Sequence, residues 1–323
     1  MNRYLLILFS LLFIACNDNA PVESGKSAES SSPKLLPELQ TGTKTSFKQI
    51  EKLPPGIETI FNKMPLKENG FYKFSFPRYD LNVMSGDVKI DARFALTSWL
   101  AFMPQDSSIT SGIMMGDLVL LETELQNVLK KLDEKGIDIT AIHNHFTGEK
   151  PKIIYLHVST MGNPMDLFER MKEILEVTGT PLKENLPDTS QIVNWDKVEN
   201  ILVYKGKKEG TVLKFSVARK ERIKDAGVEI PENFGISSDI NFEKYGDKTA
   251  VSGDLVLIPS EVNTVQKMLT RGNILVTALH NHMLFEQPRV FFMHFFSVGD
   301  AEKISMVIKD VLNSTNHERR DDK

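Results

Sequence analysis

The sequence predicts an α+β protein made of two homologous tandem repeats, each a largely antiparallel sheet with two helices. A first observation is the pentapeptide Gly-Asp-Leu-Val-Leu, which occurs at residues 116–120 and again at 253–257. From these points the two copies align without a gap to Leu175 and Leu312, with about a third of the positions identical. A second observation is the order of hydrophobic patterns within a copy, which indicates a strand, helix, strand, strand, helix core.

The first elements of the copy are predicted from side-chain spacing. Residues 71–76 and 113–121 are rich in apolar and β-forming residues, and the second run lacks strict alternation, which is typical of a strand buried on both faces. Residues 122–135 carry leucines and valine at helical spacing, and Gly136 is placed to end that helix. The same pattern follows residue 257 in the second copy.

The remaining elements form a hairpin and a second helix. Residues 137–146 and 152–159 are apolar and β-rich, and the turn-forming segment between them predicts an antiparallel hairpin. Residues 163–177 have the pattern of an amphipathic helix. Extra residues around 105–111 shift the alignment of the two copies, so we expect a surface loop there.

The chain divides into six predicted segments. The start combines one basic residue with about a dozen apolar residues, too short for the roughly 20 that span a membrane, so it fits a signal peptide. The polar stretch that follows cannot bury enough apolar surface to fold. The predicted segments are 1–15 as signal peptide, 16–45 as lipidated cysteine and flexible tether, 46–180 as the first repeat, 181–197 as linker, 198–315 as the second repeat and 316–323 as a polar tail.

Cys16 is the only cysteine in the chain. The sequence Phe-Ile-Ala-Cys at residues 13–16 resembles the lipobox of bacterial lipoproteins, although Phe13 stands where leucine is usual. Lipidation would remove a free thiol from an exported protein and attach it to the membrane. We therefore expect a lipid-anchored protein of the bacterial cell envelope, outside the cytoplasm; the alternative is a plain signal peptide with an incidental cysteine.

Composition excludes several function classes. The net charge of −4 and the pI near 6.0 provide no basic stripe, so nucleic acid is not an expected partner. No Ser/His/Asp nucleophile signature or phosphate-cradling glycine loop is present. The membrane is expected as a partner through the lipid anchor, and a small-molecule or envelope ligand is left unidentified.

Six of the seven histidines form one pattern written twice. Each copy has a His-Asn-His segment and a third histidine after eleven more residues, and the two copies keep a constant offset. Because imidazole is the commonest metal ligand, the pattern predicts binding of zinc or another divalent transition metal. The predicted ligands are His143, His145, His157, His280, His282 and His294.

The hairpin register decides whether three histidines of one copy can meet. Strand alternation places His143 and His145 on one face. If His157 lies opposite Ala141, it is diagonal to His143 and too far from His145 for one ion; a two-residue shift would bring all three within reach. Asn144 either faces outward or hydrogen-bonds backbone. The alternative for the histidines is a buried polar network without metal.

Four acidic residues recur beside the histidines and are the candidate catalytic residues: Asp117, Asp254, Glu124 and Glu261. A carboxylate there could complete a metal site, orient a ligand histidine or act as general base. Alternatively, the aspartates hydrogen-bond a turn and the glutamates favour a helix N-terminus. Arg78 and its counterpart Arg219 either contact an anion or form structural salt bridges.

These motifs carry a family resemblance. The Gly-Asp-Leu-Val-Leu step, the Thr-Ala-(Ile/Leu)-His-Asn-His strand and the sequence Pro-Arg-Val-Phe-Phe-Met-His-Phe at residues 288–295 resemble the LppY/LpqO family of bacterial lipoproteins. The first copy departs at residues 154–158, where the family tends to have Met before the histidine. The resemblance implies two tandem copies and an envelope location, but its domain has no known function and implies no substrate.

Two functional hypotheses follow from the sequence. The first is a lipid-anchored envelope protein with duplicated histidine sites that bind metal and, in a further hypothesis, hydrolyse a substrate. The second is a non-catalytic ligand- or partner-binding envelope module in which the histidines are structural.

Overall fold

The computed structural model describes residues 52–68, 70–183 and 193–318. The predicted signal peptide and Cys16 with its tether lie outside these residues, as do parts of the linker and the tail. Within the described ranges, no helix has the length and apolar content that a bilayer span requires.

The first repeat contributes the elements from Ile57 to Leu175. In chain order they are α1 (Ile57–Phe61), β1 (Leu66–Glu68), β2 (Phe71–Pro77), β3 (Val83–Ser85), β4 (Val88–Ile90), α2 (Ala92–Ala95), β5 (Thr97–Pro104), β6 (Gly112–Leu121), α3 (Leu125–Lys135), β7 (Asp138–His143), β8 (Ile153–Gly162) and α4 (Pro164–Leu175).

The second repeat follows the same plan from Asp196 to Asn313, without a counterpart of α2. Its elements are α5 (Asp196–Leu202), β9 (Lys207–Glu209), β10 (Val212–Val217), β11 (Lys224–Asp225), β12 (Val228–Glu229), β13 (Ser238–Tyr245), β14 (Lys248–Leu257), α6 (Pro259–Arg271), β15 (Leu275–His280), β16 (Phe291–Gly299) and α7 (Ala301–Asn313).

Each repeat forms a six-stranded sheet in which every neighbouring pair is antiparallel. The order is β1-β2-β5-β6-β8-β7 in the first sheet and β9-β10-β13-β14-β16-β15 in the second. This confirms the predicted α+β class with two tandem repeats. The strands β5 and β13 are not among the predicted elements, although both lie in the middle of their sheets.

Several element boundaries differ from the predictions by up to three residues, and two of these differences follow from side-chain hydrogen bonds. Helix α3 begins at Leu125 and not at residue 122, because the Glu124 carboxylate accepts a hydrogen bond from the Leu121 N–H and closes a turn before the helix. Strand β7 ends at His143 and not at residue 146. The Asn144 side chain there donates to the carbonyl of Phe146, which turns the chain out of the ladder. Gly136 ends α3 in the left-handed region, as predicted.

The helices cover one face of each sheet. Phe168 and Met171 of α4 pack against Phe74 and Leu118 of the first sheet, and the second repeat has an equivalent core. Two further apolar clusters contain residues of both repeats, such as Phe71 with Phe234 and Val119 with Ala250. The sheet faces that carry no helices therefore face each other across the molecule.

Candidate metal centre

The histidines lie on the inner faces of the two sheets. His157 on β8 pairs with Asp117 on β6 and with Ala141 on β7. His294 has the equivalent neighbours in the second sheet. This is the first of the two registers considered from the sequence, in which the third histidine lies diagonal to the first.

The two His-Asn-His segments lie against each other and join the repeats. The Asn144 side chain donates to the carbonyl of Thr277 at 3.0 Å, and Asn281 donates to the carbonyl of Thr140 at 3.1 Å. The Thr277 hydroxyl also donates to the carbonyl of His145 at 2.7 Å. The asparagines therefore bond backbone, as one alternative proposed, and they do so both within their own copy, at the carbonyls of Phe146 and Met283, and across to the other copy.

This arrangement brings six imidazoles into one group, named here the imidazole cluster: His143, His145, His157, His280, His282 and His294. Its closest ring contacts join one repeat to the other. The centroid distances are 3.7 Å for His143–His280, 3.9 Å for His145–His294 and 4.0 Å for His157–His282. Exchanging the two repeats turns the pair His145–His294 into the pair His282–His157. The cluster therefore has a pseudo-two-fold axis, which passes beside the pair His143–His280.

Two sets of three histidines bring one ligand nitrogen each to within 4.8 Å of one another: His143, His145 and His294, and His143, His157 and His280. Both sets use both repeats, which differs from the expected site within each copy. The sites are shared between the repeats because the strand register separates the second and third histidines of each hairpin. The facing hairpin provides a closer imidazole ring. A zinc ion bound at about 2.1 Å from each of three nitrogens requires these nitrogens to lie within about 4 Å of one another. Small rotations of the imidazole rings would bring the nitrogens of either set to that distance.

Most ring nitrogens of the cluster have no partner. Within the described residues, both nitrogens of His143, His157 and His280 are buried and unbonded, as are Nε2 of His282 and of His294. Nδ1 of His282 is bonded to the Gly235 carbonyl at 2.8 Å, which leaves its Nε2 directed at the cluster. Buried polar atoms are normally hydrogen-bonded, so a purely structural polar network does not account for this group.

The environment keeps the imidazoles neutral. Burial, followed by the neighbouring histidines, lowers the pKa of His280 to about 3. Burial also lowers the pKa of His282 to about 3 and holds those of His143 and His157 well below the usual value. Neutral imidazole is the form that binds metal ions.

Asp117 and Asp254, the aspartates of the recurring Gly-Asp step, lie beside the cluster. Asp254 is 3.4 Å from Nε2 of His282 and 3.8 Å from Nε2 of His294, and Asp117 is 4.0 Å from Nε2 of His157. Burial, with the charge of Asp254, raises the pKa of Asp117 to about 8, and burial raises that of Asp254 to about 7.

Glu124 and Glu261 lie outside the imidazole cluster and pair with arginines, so their role as candidate catalytic residues stays a prediction. The Glu124 carboxylate accepts hydrogen bonds from Arg78 at 3.0 and 3.2 Å, and Glu261 accepts from Arg219 at 2.8 and 3.1 Å. Neither glutamate lines the cavity beside the histidines. The bonds from Arg78 and from the Gly179 and Leu121 N–H groups outweigh burial and lower the pKa of Glu124. Both arginines thus form structural ion pairs.

A cavity of about 580 Å³ between the sheets leads to the cluster. Two matching rows of cross-strand neighbours line it: Ser75, Trp99, Asp117 and His157 in the first sheet, and Ser216, Asp239, Asp254 and His294 in the second. Neighbouring strands are about 4.8 Å apart, so each row runs roughly 14 Å away from its histidine. A small molecule could therefore reach the cluster from the cavity.

Lys73, Trp99 and Asp239 are among the cavity residues that were not predicted from the sequence. Lys73 is half-buried, and its ammonium lies 4.3 Å from the centroid of the Trp99 ring. Burial lowers the pKa of Lys73 and raises that of Asp239. The recurring Lys-Phe-Ser step could have indicated that the lysine faces the cavity. Strand alternation places Lys73 on the sheet face that is turned away from the core residue Phe74. Trp99 and Asp239 are at equivalent positions but differ in type, so the repeat carries no signal for them.

The fold and site define a two-repeat α+β protein with a candidate metal centre shared by both repeats. A family model described as Domain of Unknown Function (DUF1259) matches residues 55–177 and again residues 196–314. The chain therefore belongs to this family and carries its domain in two tandem copies. No curated protein matches the chain. The resemblance to LppY/LpqO lipoproteins stays a prediction.

Proposed function

We propose that this protein binds zinc or another divalent transition metal in the imidazole cluster. The observation that carries the proposal is the set of buried, unpartnered ring nitrogens that two repeats bring within 4.8 Å of one another. Metal coordination would satisfy these nitrogens, and the low pKa values of His280 and His282 keep them available at neutral pH.

We further propose that the bound metal acts on a small molecule held in the cavity. The cavity supports this because Asp117, His157 and their counterparts lie at its inner end. Hydrolysis is the candidate reaction, with Asp117 or Asp254 as general acid or base, since both carboxylates line the cavity and lie within 4.0 Å of a ring nitrogen of the cluster.

The metal content of the purified full-length chain tests the first proposal. We expect stoichiometric zinc, or uptake of zinc or cobalt by the metal-free protein, measured by plasma mass spectrometry after dialysis. The double variant His143→Gln/His280→Gln should lose this binding, because it removes the two rings beside the pseudo-two-fold axis. His317→Gln is the matched control, since it deletes a buried histidine outside the cluster.

Absence of metal in the wild-type protein, together with failure to take any up, would contradict the proposal. The result would then favour a non-catalytic ligand-binding module. In that case the same histidine variants should alter the binding of an envelope ligand, or the melting temperature, with no change in metal content.

The proposed location is the bacterial cell envelope, with the chain attached through a lipidated Cys16. The support is the lipobox-like sequence at residues 13–16 and the polar tether after it. We expect the full-length chain to incorporate radiolabelled palmitate when it is expressed in a bacterium, and Cys16→Ser to abolish the label. Phe13→Leu, which restores the usual lipobox residue, should keep it. An unlabelled wild-type chain would exclude lipid anchoring.

A further inference from the structure

We propose that the imidazole cluster holds two divalent metal ions, one on each side of the pseudo-two-fold axis, with Asp117 and Asp254 between them. This rests on the proposed function, because it specifies how many ions the same centre binds. Four observations support it: the number of ligands, the symmetry of the cluster, the position of the second ion's ligands and the position of the carboxylates.

The number of ligands exceeds what one ion uses. A zinc ion in a protein takes about four ligands, whereas the cluster offers six imidazoles and two carboxylates. With one ion bound, several buried nitrogens would stay without a partner, and each such group destabilises the folded protein. A second ion removes most of that penalty.

Because the cluster has a pseudo-two-fold axis, any metal site that lies off this axis has a symmetry-related counterpart. The first ligand set combines His143, His145 and His294. Exchanging the repeats converts it to His280, His282 and His157. The matching centroid distances are 5.2 and 5.0 Å within the His-Asn-His segments, 3.9 and 4.0 Å between the second and third histidines, and 5.0 and 5.6 Å between the first and third.

Two of the three ligands of the second ion already lie close together, and the ring of the third, His282, lies beside one of them. His157 and His280 belong to the other set of three nitrogens within 4.8 Å, where His143 is their third member. His282 can replace His143, because its ring centroid lies 4.0 Å from that of His157. Its Nδ1 is bonded to the Gly235 carbonyl, as is usual for a metal-binding histidine, so Nε2 is left for an ion.

The carboxylates lie where two ions could share them. Asp254 contacts His294 of the first set and His282 of the second. Asp117 contacts His157 of the second set, and its Oδ1 is buried with no hydrogen-bond partner among the described residues. Acidic side chains placed between two sets of imidazoles would offset the charge of two divalent ions. Two-metal centres typically have their ions about 3.5–4 Å apart.

Cobalt titration of the metal-free full-length chain tests the number of ions. We expect two equivalents of Co²⁺, measured by visible absorption and by metal analysis after gel filtration. His145→Gln should reduce the binding from two equivalents to one, and so should its symmetry counterpart His282→Gln. His317→Gln should keep both. Circular dichroism of each variant shows whether it is folded.

The outcomes separate this inference from the proposed function. One equivalent in the wild-type protein would overturn the two-ion centre and leave metal binding intact, whereas no binding would overturn both. Electron paramagnetic resonance of the copper-loaded wild-type protein gives a second measurement that needs no variant. Two nearby Cu²⁺ ions should couple and weaken the signal per ion, and an uncoupled full signal would contradict the inference.

Discussion

Replacing Arg78 with methionine should lower the free energy of unfolding by about 3 kcal/mol. The Arg78 side chain is fully buried and donates to Asp80, Glu124 and the carbonyl of Val119. Methionine fills similar volume but leaves the Glu124 carboxylate with two backbone donors and no cation, and it removes the donor to the Val119 carbonyl. Breaking one partner of a buried pair is costly because the remaining charge is uncompensated. Urea unfolding of the full-length chain measures the change.

Arg222→Met is the matched control for this prediction. Arg222 pairs with Glu229, but its side chain is 73% exposed, so the loss should stay within about 0.5 kcal/mol. Adding Glu124→Gln to Arg78→Met should recover part of the stability, since it removes the stranded charge. A loss below 1 kcal/mol for Arg78→Met would show that solvent already screens the pair. The equivalent pair of Arg219 and Glu261 should behave in the same way.

The imidazole cluster should make the metal-free protein sensitive to acid. His280 and His282 have a pKa of about 3 in the folded protein, against about 6.5 in the unfolded chain. Below pH 6.5 the unfolded chain binds protons that the folded protein excludes. The stability that these two histidines contribute is therefore present above pH 6.5 and lost as the pH falls toward 3.

The size of this loss of stability follows from the two protons that His280 and His282 take up on unfolding. Between pH 6 and pH 5 the free energy of unfolding should fall by about 2.5 kcal/mol through His280 and His282 together. Urea unfolding at both pH values, with a chelator present, should therefore show a steeper drop for the wild-type protein than for His280→Gln/His282→Gln. Equal drops would show that the histidines are protonated in the folded state. His317→Gln serves as the control.

The two buried aspartates act in the opposite direction. Asp117 and Asp254 have pKa values of about 8 and 7 in the folded protein, raised from 3.8. The stability that their protonated forms contribute is present at low pH and is lost as the pH rises from about 4 to 8. Between about pH 4 and 6.5 the two aspartates therefore offset the loss of stability from His280 and His282, so the comparison with the His280→Gln/His282→Gln variant is what isolates the histidines.

The fold could be predicted well where the pattern is local. The strand at 71–76, the buried strand at 113–121 and the helix ended by Gly136 follow from spacing and capping within one segment. Strand β5 was not predictable in this way, because its pairing with β2 and β6 is decided by the assembled sheet. The partner of Glu124 was not predictable for a similar reason: Arg78 is 46 residues away and meets Glu124 only in the folded repeat.

The sequence by itself determined the duplication and the strand parity that puts His143 and His145 on one face. These depend on repetition and on the two-residue period of a strand. Only the tertiary structure decided which imidazoles meet. Register separates the three histidines of a hairpin, and the packing of the two repeats brings His294 to His145 and His282 to His157. Contacts between distant segments depend on that packing, which leaves no periodic signal in the chain.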